Sequence, residues 1–175
     1  MNTQLPLEQT VVHRREPFQY FFAVRALEVV PRSENYVLEP EPEGLRLHAA
    51  CESALALPGE ILRDAFGDAL SFSAPEAKLQ RHAGVDYEPV MYVRTEVAAQ
   101  HQAALRAALL ARGAALLEED VRRTAAITRA TCPLRRLLGF TDALRGLAGA
   151  QARSWVWLSH YQPAAQEAPT CRGAD

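Results

Sequence analysis

The feature that most constrains this chain is an ordered change of hydrophobic period between residues 90 and 161. Val90 to Val97 is a strand candidate, rich in β-branched residues. Gln100 to Arg112 sets Leu105, Ala108 and Leu109 on one face among alanines, which predicts a helix that Gly113 ends. Ala114 to Val121 and Thr124 to Thr131 read as two more strands, the second alternating at Ala125 and Ile127. Pro133 opens a helix with Leu134, Leu137 and Leu138; Gly139 interrupts it, and Thr141 caps a continuation bearing Leu144 and Leu147. Ser154 to Tyr161 is a last strand. A β-α-β-β-α-β succession buries its apolar faces most compactly as a four-stranded antiparallel sheet with both helices on one side. The expected fold class is therefore α+β, with a ferredoxin-like sandwich over residues 87–163.

Residues 1–86 are expected to form a smaller α+β part packed against that sandwich. Residues 1–16 read as a flexible lead-in. The aromatic and β-branched run from Phe18 to Val30 reads as a strand stopped by Pro31. Glu39-Pro40-Glu41-Pro42-Glu43-Gly44 reads as a turn or loop, because its prolines lack donors. Leu45, Leu47 and Ala49 alternate with Arg46 and His48, a second strand. Pro58 stands at a first helical position, followed by Ile61, Leu62, Ala65, Phe66, Ala69 and Leu70 at helical spacing. Residues 71–86 read as a connector with a short helix at most, and 164–175 as a disordered tail.

Composition narrows the function classes. The net charge of −2 supplies no bulk positive field for DNA or anionic lipid. Lys78 is the only lysine, so basic character rests on arginine. No run approaches the roughly 20 apolar residues of a membrane span, and Met1 to Arg15 lacks the apolar segment of a secretion signal. Cys51, Cys132 and Cys171 are far apart and odd in number, neither a disulfide framework nor a zinc cluster. A reduced, cytoplasmic setting fits that usage.

Catalytic signatures are missing. The chain has no Gly-x-Ser-x-Gly elbow, no His-Glu-x-x-His pair and no dinucleotide-binding glycine loop. His13, His48, His82, His101 and His160 stand at no metal-ligand spacing and read as structural or surface groups. Cys132 precedes a helix whose N-terminus lowers thiol pKa values in reactive sites, but a small buried residue at a strand-helix junction is the preferred reading. Glu118-Glu119-Asp120 reads as a solvated strand edge, since neighbours along a strand point to opposite faces. The expectation is a chain with no catalytic residue, no metal and no cofactor.

Three stretches carry a family resemblance. Glu88-Pro89-Val90-Met91-Tyr92-Val93, then Pro133-Leu134 with Leu138-Gly139-Phe140-Thr141-Asp142-Ala143-Leu144-Arg145, then His160-Tyr161-Gln162-Pro163, resemble the Glu-Pro-x-Met-x-Val opening, the Pro-Leu…Phe-Gly-Tyr…Asp-Leu-Arg helix and the His-Tyr-x-Pro ending of the last domain of elongation factor G. They come in that domain's order over about residues 87–163. Upstream, Leu57-Pro58-Gly59-Glu60-Ile61 resembles a helix start in the preceding domain, which implies a reduced penultimate domain over 1–86. The family's Gln-Gly-Arg-Gly loop is here Gly149-Ala150-Gln151-Ala152. No Gly-x-x-x-x-Gly-Lys-Ser/Thr loop exists to cradle phosphates, so GTP binding does not carry over.

The resemblance implies a non-catalytic, translation-factor-like module whose partner is the ribosome, through rRNA or ribosomal protein. The alternative is a regulatory or interaction protein that uses the fold to dimerise or hold a small ligand; neither membrane nor DNA is an expected partner. Arg122, Arg123, Arg129, Arg135, Arg136, Arg145 and Arg153 are the densest basic region and candidates for phosphate contacts. In the family pattern Met91, Val93, Val156 and Leu158 face the helix-covered core. Alternation then puts Tyr92, Trp155 and Trp157 on the opposite sheet face, an interface expected to be covered by residues 18–66, with a homodimer or RNA as the other occupants.

Overall fold

Two antiparallel sheets, one built from residues 7–77 and the other from residues 80–163, organise the molecule. The computed structural model describes residues 5–164. In chain order the elements are β1 (Leu7–His13), α1 (Gln19–Val29), β2 (Tyr36–Glu41), β3 (Gly44–Ala49), α2 (Ala56–Phe66), β4 (Leu70–Phe72), β5 (Glu76–Ala77), β6 (Gln80–His82), β7 (Val85–Ala98), α3 (Gln102–Ala111), β8 (Ala115–Val121), β9 (Ala125–Pro133), α4 (Leu134–Leu137), α5 (Phe140–Ala148) and β10 (Arg153–Pro163). The second sheet runs β10-β7-β9-β8, with β6 added beside β7. The C-terminal half is thus the expected α+β, ferredoxin-like sandwich. The first sheet runs β2-β3-β1-β4, with β5 added beside β1. Taken within its own half, each sheet has the order fourth, first, third, second strand. The N-terminal α+β half therefore follows the same β-α-β-β-α-β path.

Several local expectations for residues 5–86 are corrected. The stretch expected as a flexible lead-in contains β1, one of the two inner strands of its sheet, with Leu7 and Val11 fully buried and Leu7–Val11 registered against Ala49–Leu45 of β3. The run expected as a strand at 18–30 is instead helix α1. Its buried residues Phe22, Ala23 and Ala26, with Val30 just beyond, recur at helical spacing, so the tertiary contact overrides strand propensity. Pro40 lies inside β2, which the edge position of that strand allows. Residues 71–86 form three strands of two or three residues and the start of β7, with no helix. Pro58 is the third residue of α2 rather than the first.

In the C-terminal half the alternation works as expected from Met91 onward, after a run of four buried residues from Glu88 to Met91. Met91, Val93, Thr95 and Val97 of β7 and Ala126, Thr128, Ala130 and Cys132 of β9 all face inward. Leu105 and Leu109 of α3 and Phe140 and Leu144 of α5 close over them. Gly113 ends α3 at φ +71°, a backbone that L side chains rarely adopt. Thr141 does not cap α5: that position is Gly139, at φ +72°. The Gly139 N–H donates to both carboxylate oxygens of Glu52, at 2.9 and 3.1 Å. This bond ties the N-terminal half to the start of α5, where a carboxylate also complements the helix dipole. Both halves contribute to one buried apolar cluster. No helix among the described residues is long and apolar enough to cross a membrane. The tail expectation falls almost wholly outside the described residues, as does Cys171.

Candidate functional site

The helix-free face of the second sheet collects the residues left over when β7, β9 and β10 turn their alternate side chains inward. From β7 these are Tyr92, Arg94 and Glu96; from β9, Ile127, Arg129 and Thr131; from β10, Arg153, Trp155 and Trp157. Register sorts them into rows. Trp157 stands opposite Tyr92 and, one strand on, Thr131; Trp155 stands opposite Arg94 and Arg129. A register shift between Leu158 and His160 makes Ser159 the extra residue of β10 and returns His160 to this face, opposite Val90.

The rows are physically coupled. Tyr92 and Trp157 stack with centroids 4.6 Å apart and planes at 27°. The Arg94 guanidinium carbon lies 4.7 Å over the Trp155 ring, a cation–π arrangement. Arg129 pairs with Glu118 of β8. Trp155 and Trp157 remain 38% and 47% exposed. Residues 18–66 therefore do not cover this face, contrary to the sequence-based expectation. That half meets the sandwich elsewhere, through Glu52 and β5 against α4 and the start of α5. The physical reason is local: the turn preceding α2 brings Glu52 to the Gly139 amide, which lies at the helix layer of the second half.

The arginines singled out from sequence do not converge. Arg122, beside Arg123 in the β8–β9 turn, pairs with Asp120 at 2.9 Å. Arg135 lies 2.7 Å from the carboxylate of Glu88, which is 2% exposed and also accepts from Gln162 at 3.0 Å. Arg136 occupies the space that a Cβ on Gly113 would need. Arg145 pairs with Asp142 on α5 at 3.4 Å, on the helix side, whereas Arg153 begins β10 on the open face. Arg94 lies outside the sequence-based set. A signal for it exists, because it follows Tyr92 by two residues on the same strand.

The remaining candidates are structural in geometry. Burial pushes the Cys132 thiol up to about 11, against the opposing pull of Arg112 and Arg136, which agrees with a buried junction residue rather than a nucleophile. Glu119 accepts from Gln102 and Arg106 on α3, while Glu118 and Asp120 pair with Arg129 and Arg122. The acidic run is thus divided between the two faces of an edge strand. No group of three metal-ligating side chains occurs among the described residues. A cavity of about 370 Å³ opens where the halves meet, between Cys51, Glu52 and Ser53 on one side and Leu137, Phe140 and Val156 on the other.

Residues 86–170 match the family model described as elongation factor G C-terminus. A crystal structure of a protein from Thermus thermophilus superposes with a TM-score of 0.65 at 14% identity, covering 91% of this chain and 41% of that one. At that identity the likeness concerns the fold. It extends over both halves, and this chain spans less than half of that protein's length. No curated protein sequence matches the chain.

Proposed function

We propose, from the premise that the C-terminal half is a domain of the elongation factor G C-terminal type, that this protein is a non-catalytic, translation-factor-like module that associates with the ribosome. The observation that carries this is the coincidence of the family match with the strand order β10-β7-β9-β8, over a segment with no phosphate-binding loop. A domain of this kind acts by docking, so its chemistry is surface chemistry. On this reading the protein works in the cytoplasm against rRNA or ribosomal protein. Arg122, Arg123, Arg145 and Arg153, all exposed, supply charge toward phosphates, while Arg135 and Arg136 act through the packing of α4.

Co-sedimentation of the full chain with purified ribosomes tests the proposal. The expected outcome is a pelleted fraction that falls steeply as salt rises from about 50 to 200 mM, as counterion-linked contacts require. Absence from the pellet at the lowest salt overturns it.

A further inference from the structure

The open face of the second sheet is covered by no helix, and both tryptophans of the chain lie on it, 38% and 47% exposed. We propose that this face is a stacking platform for unpaired bases of a single-stranded RNA, with Trp157, Tyr92 and Trp155 as the base-binding surfaces and Arg94 as the cation beside them.

The register carries the argument. Two adjacent rows each hold an aromatic surface, Trp157 with Tyr92 and Trp155 with Arg94. Rows two residues apart along a strand are separated by about 7 Å. Consecutive splayed nucleotides can lay one base on each. The ring pair is already stacked at 4.6 Å, so its orientation is fixed before a ligand arrives and little ordering is required on binding. Every base has a π-face, so such a surface is tolerant of sequence.

Charge and polarity favour RNA over a second copy of this chain. The core of an apolar protein interface is depleted in charge. Here the tryptophan rows contain Arg94, Arg129 and Thr131, and Arg153 and His160 flank the rings along β10. Two of the carboxylates are engaged, Glu118 with Arg129 and Asp120 with Arg122, while Glu96 lies 4.0 Å from Arg94, at the outer limit of pairing. Those pairs engage the Arg129 and Arg122 guanidinium groups equally, so along β10 and β7 the face offers the rings, Arg94 over Trp155, Arg153 and His160. The hydroxyl of Thr131, opposite Tyr92, suits a ribose 2′-OH group, which distinguishes RNA from DNA.

The inference stands on the sheet face and not on ribosome docking, so the two can fail separately. Because the only tryptophans lie on this face, their fluorescence reports it directly. The full chain is titrated with a 12-nucleotide oligouridine RNA, the DNA of the same sequence and a duplex RNA. The expected result is saturable quenching by the single-stranded RNA, weaker quenching by the DNA and none by the duplex. Trp157→Ala, followed through Trp155, should weaken RNA binding about tenfold, whereas Trp157→Phe should stay within about threefold. Arg94→Gln should weaken binding and lower the salt slope by about one. The Phe variant and the thermal melts of all variants separate lost stacking from lost folding. Equal response to duplex and single strand, or no response to any probe, overturns the proposal. So does a stable dimer by light scattering that Trp157→Ala dissociates. If ribosome co-sedimentation persists while oligouridine gives no quenching, the stacking platform is wrong and the ribosome reading survives.

Discussion

The two halves follow one path and finish their open sheet faces in opposite ways. In the N-terminal half that face is closed by charge. Arg46 lies 2.7 Å from Glu41 and 3.8 Å from Glu8, and His48 lies 3.2 Å from Glu39. Each polar group named there has a partner on the same face, and His48 is only 6% exposed. In the C-terminal half the same position in the topology carries Tyr92, Trp155 and Trp157, with the tryptophans half-open to solvent. The order of strands fixes which side chains share a face, but not what the face is for. A face whose groups satisfy one another has little left to offer a partner; a face of exposed rings has its largest binding capacity unused.

The largest effects should come from matched deletions beneath each sheet. Phe22 and Phe140 are each 1% exposed and occupy the first helix of one half and the last helix of the other. Phe22→Ala and Phe140→Ala should each lower stability by about 3–5 kcal/mol in urea unfolding, through lost transfer energy and a residual cavity. Since both residues belong to one buried cluster, each variant should retain a single transition by fluorescence and circular dichroism. Two separated transitions, with the tryptophan signal following only Phe140, would show that the halves are independent units.

A smaller effect is expected where the halves join. Glu52→Ala removes both acceptors of the Gly139 N–H, in a half-buried setting. The loss should be about 1–3 kcal/mol, the range for a donor left unsatisfied. Glu52→Gln keeps an amide oxygen and should lose less. A Glu52→Ala protein as stable as wild type would mean that this contact does not hold the halves together, and that apolar packing of β5 and α4 does.

The same contrast explains what the sequence discloses. The second half is legible because long strands alternate cleanly: β7, β9 and β10 have 14, 9 and 11 residues, enough to establish a period. In the first half the strands β4 and β5 have three and two residues, and β6 at the start of the second sheet has three, too few for any period. β1 is hidden because Glu8, Gln9 and Thr10 dilute its apolar alternation. α1 reads as a strand because Phe18, Tyr20 and Phe21, all exposed, enrich it in strand-forming types, while the helical spacing lies only in Phe22, Ala23 and Ala26. At the candidate site, alternation places Tyr92, Trp155 and Trp157 on one face correctly. What covers that face depends on where Glu52 finds its donor, a contact across 87 residues that no local pattern encodes. The arginines group by nearness in sequence, and helices and strands disperse them.

The smallest effects sharpen the comparison most, because one arginine on each face can be removed and the losses compared across pH. Arg46→Ala on the first face and Arg94→Ala on the second should each lose about 0.5–1 kcal/mol at pH 7, the first as a partly exposed ion pair and the second as an exposed cation–π contact. Their acid dependence should differ. The hydrogen bond from Arg46 holds the Glu41 carboxyl below its ordinary value of 4.5. A carboxyl lowered in the folded state contributes stability above its unfolded pKa and loses it as pH falls through the folded pKa. The gap between wild type and Arg46→Ala should therefore close in urea unfolding as pH drops below about 4.5. Arg94 rests on the Trp155 ring, which does not titrate, with Glu96 at the outer limit of pairing at 4.0 Å. Its gap should persist to pH 3. An Arg94→Ala gap that closes in acid in parallel with that of Arg46→Ala would make Glu96 the true partner, leave the Trp155 ring unclaimed, and turn the second face into another charge-paired surface like the first.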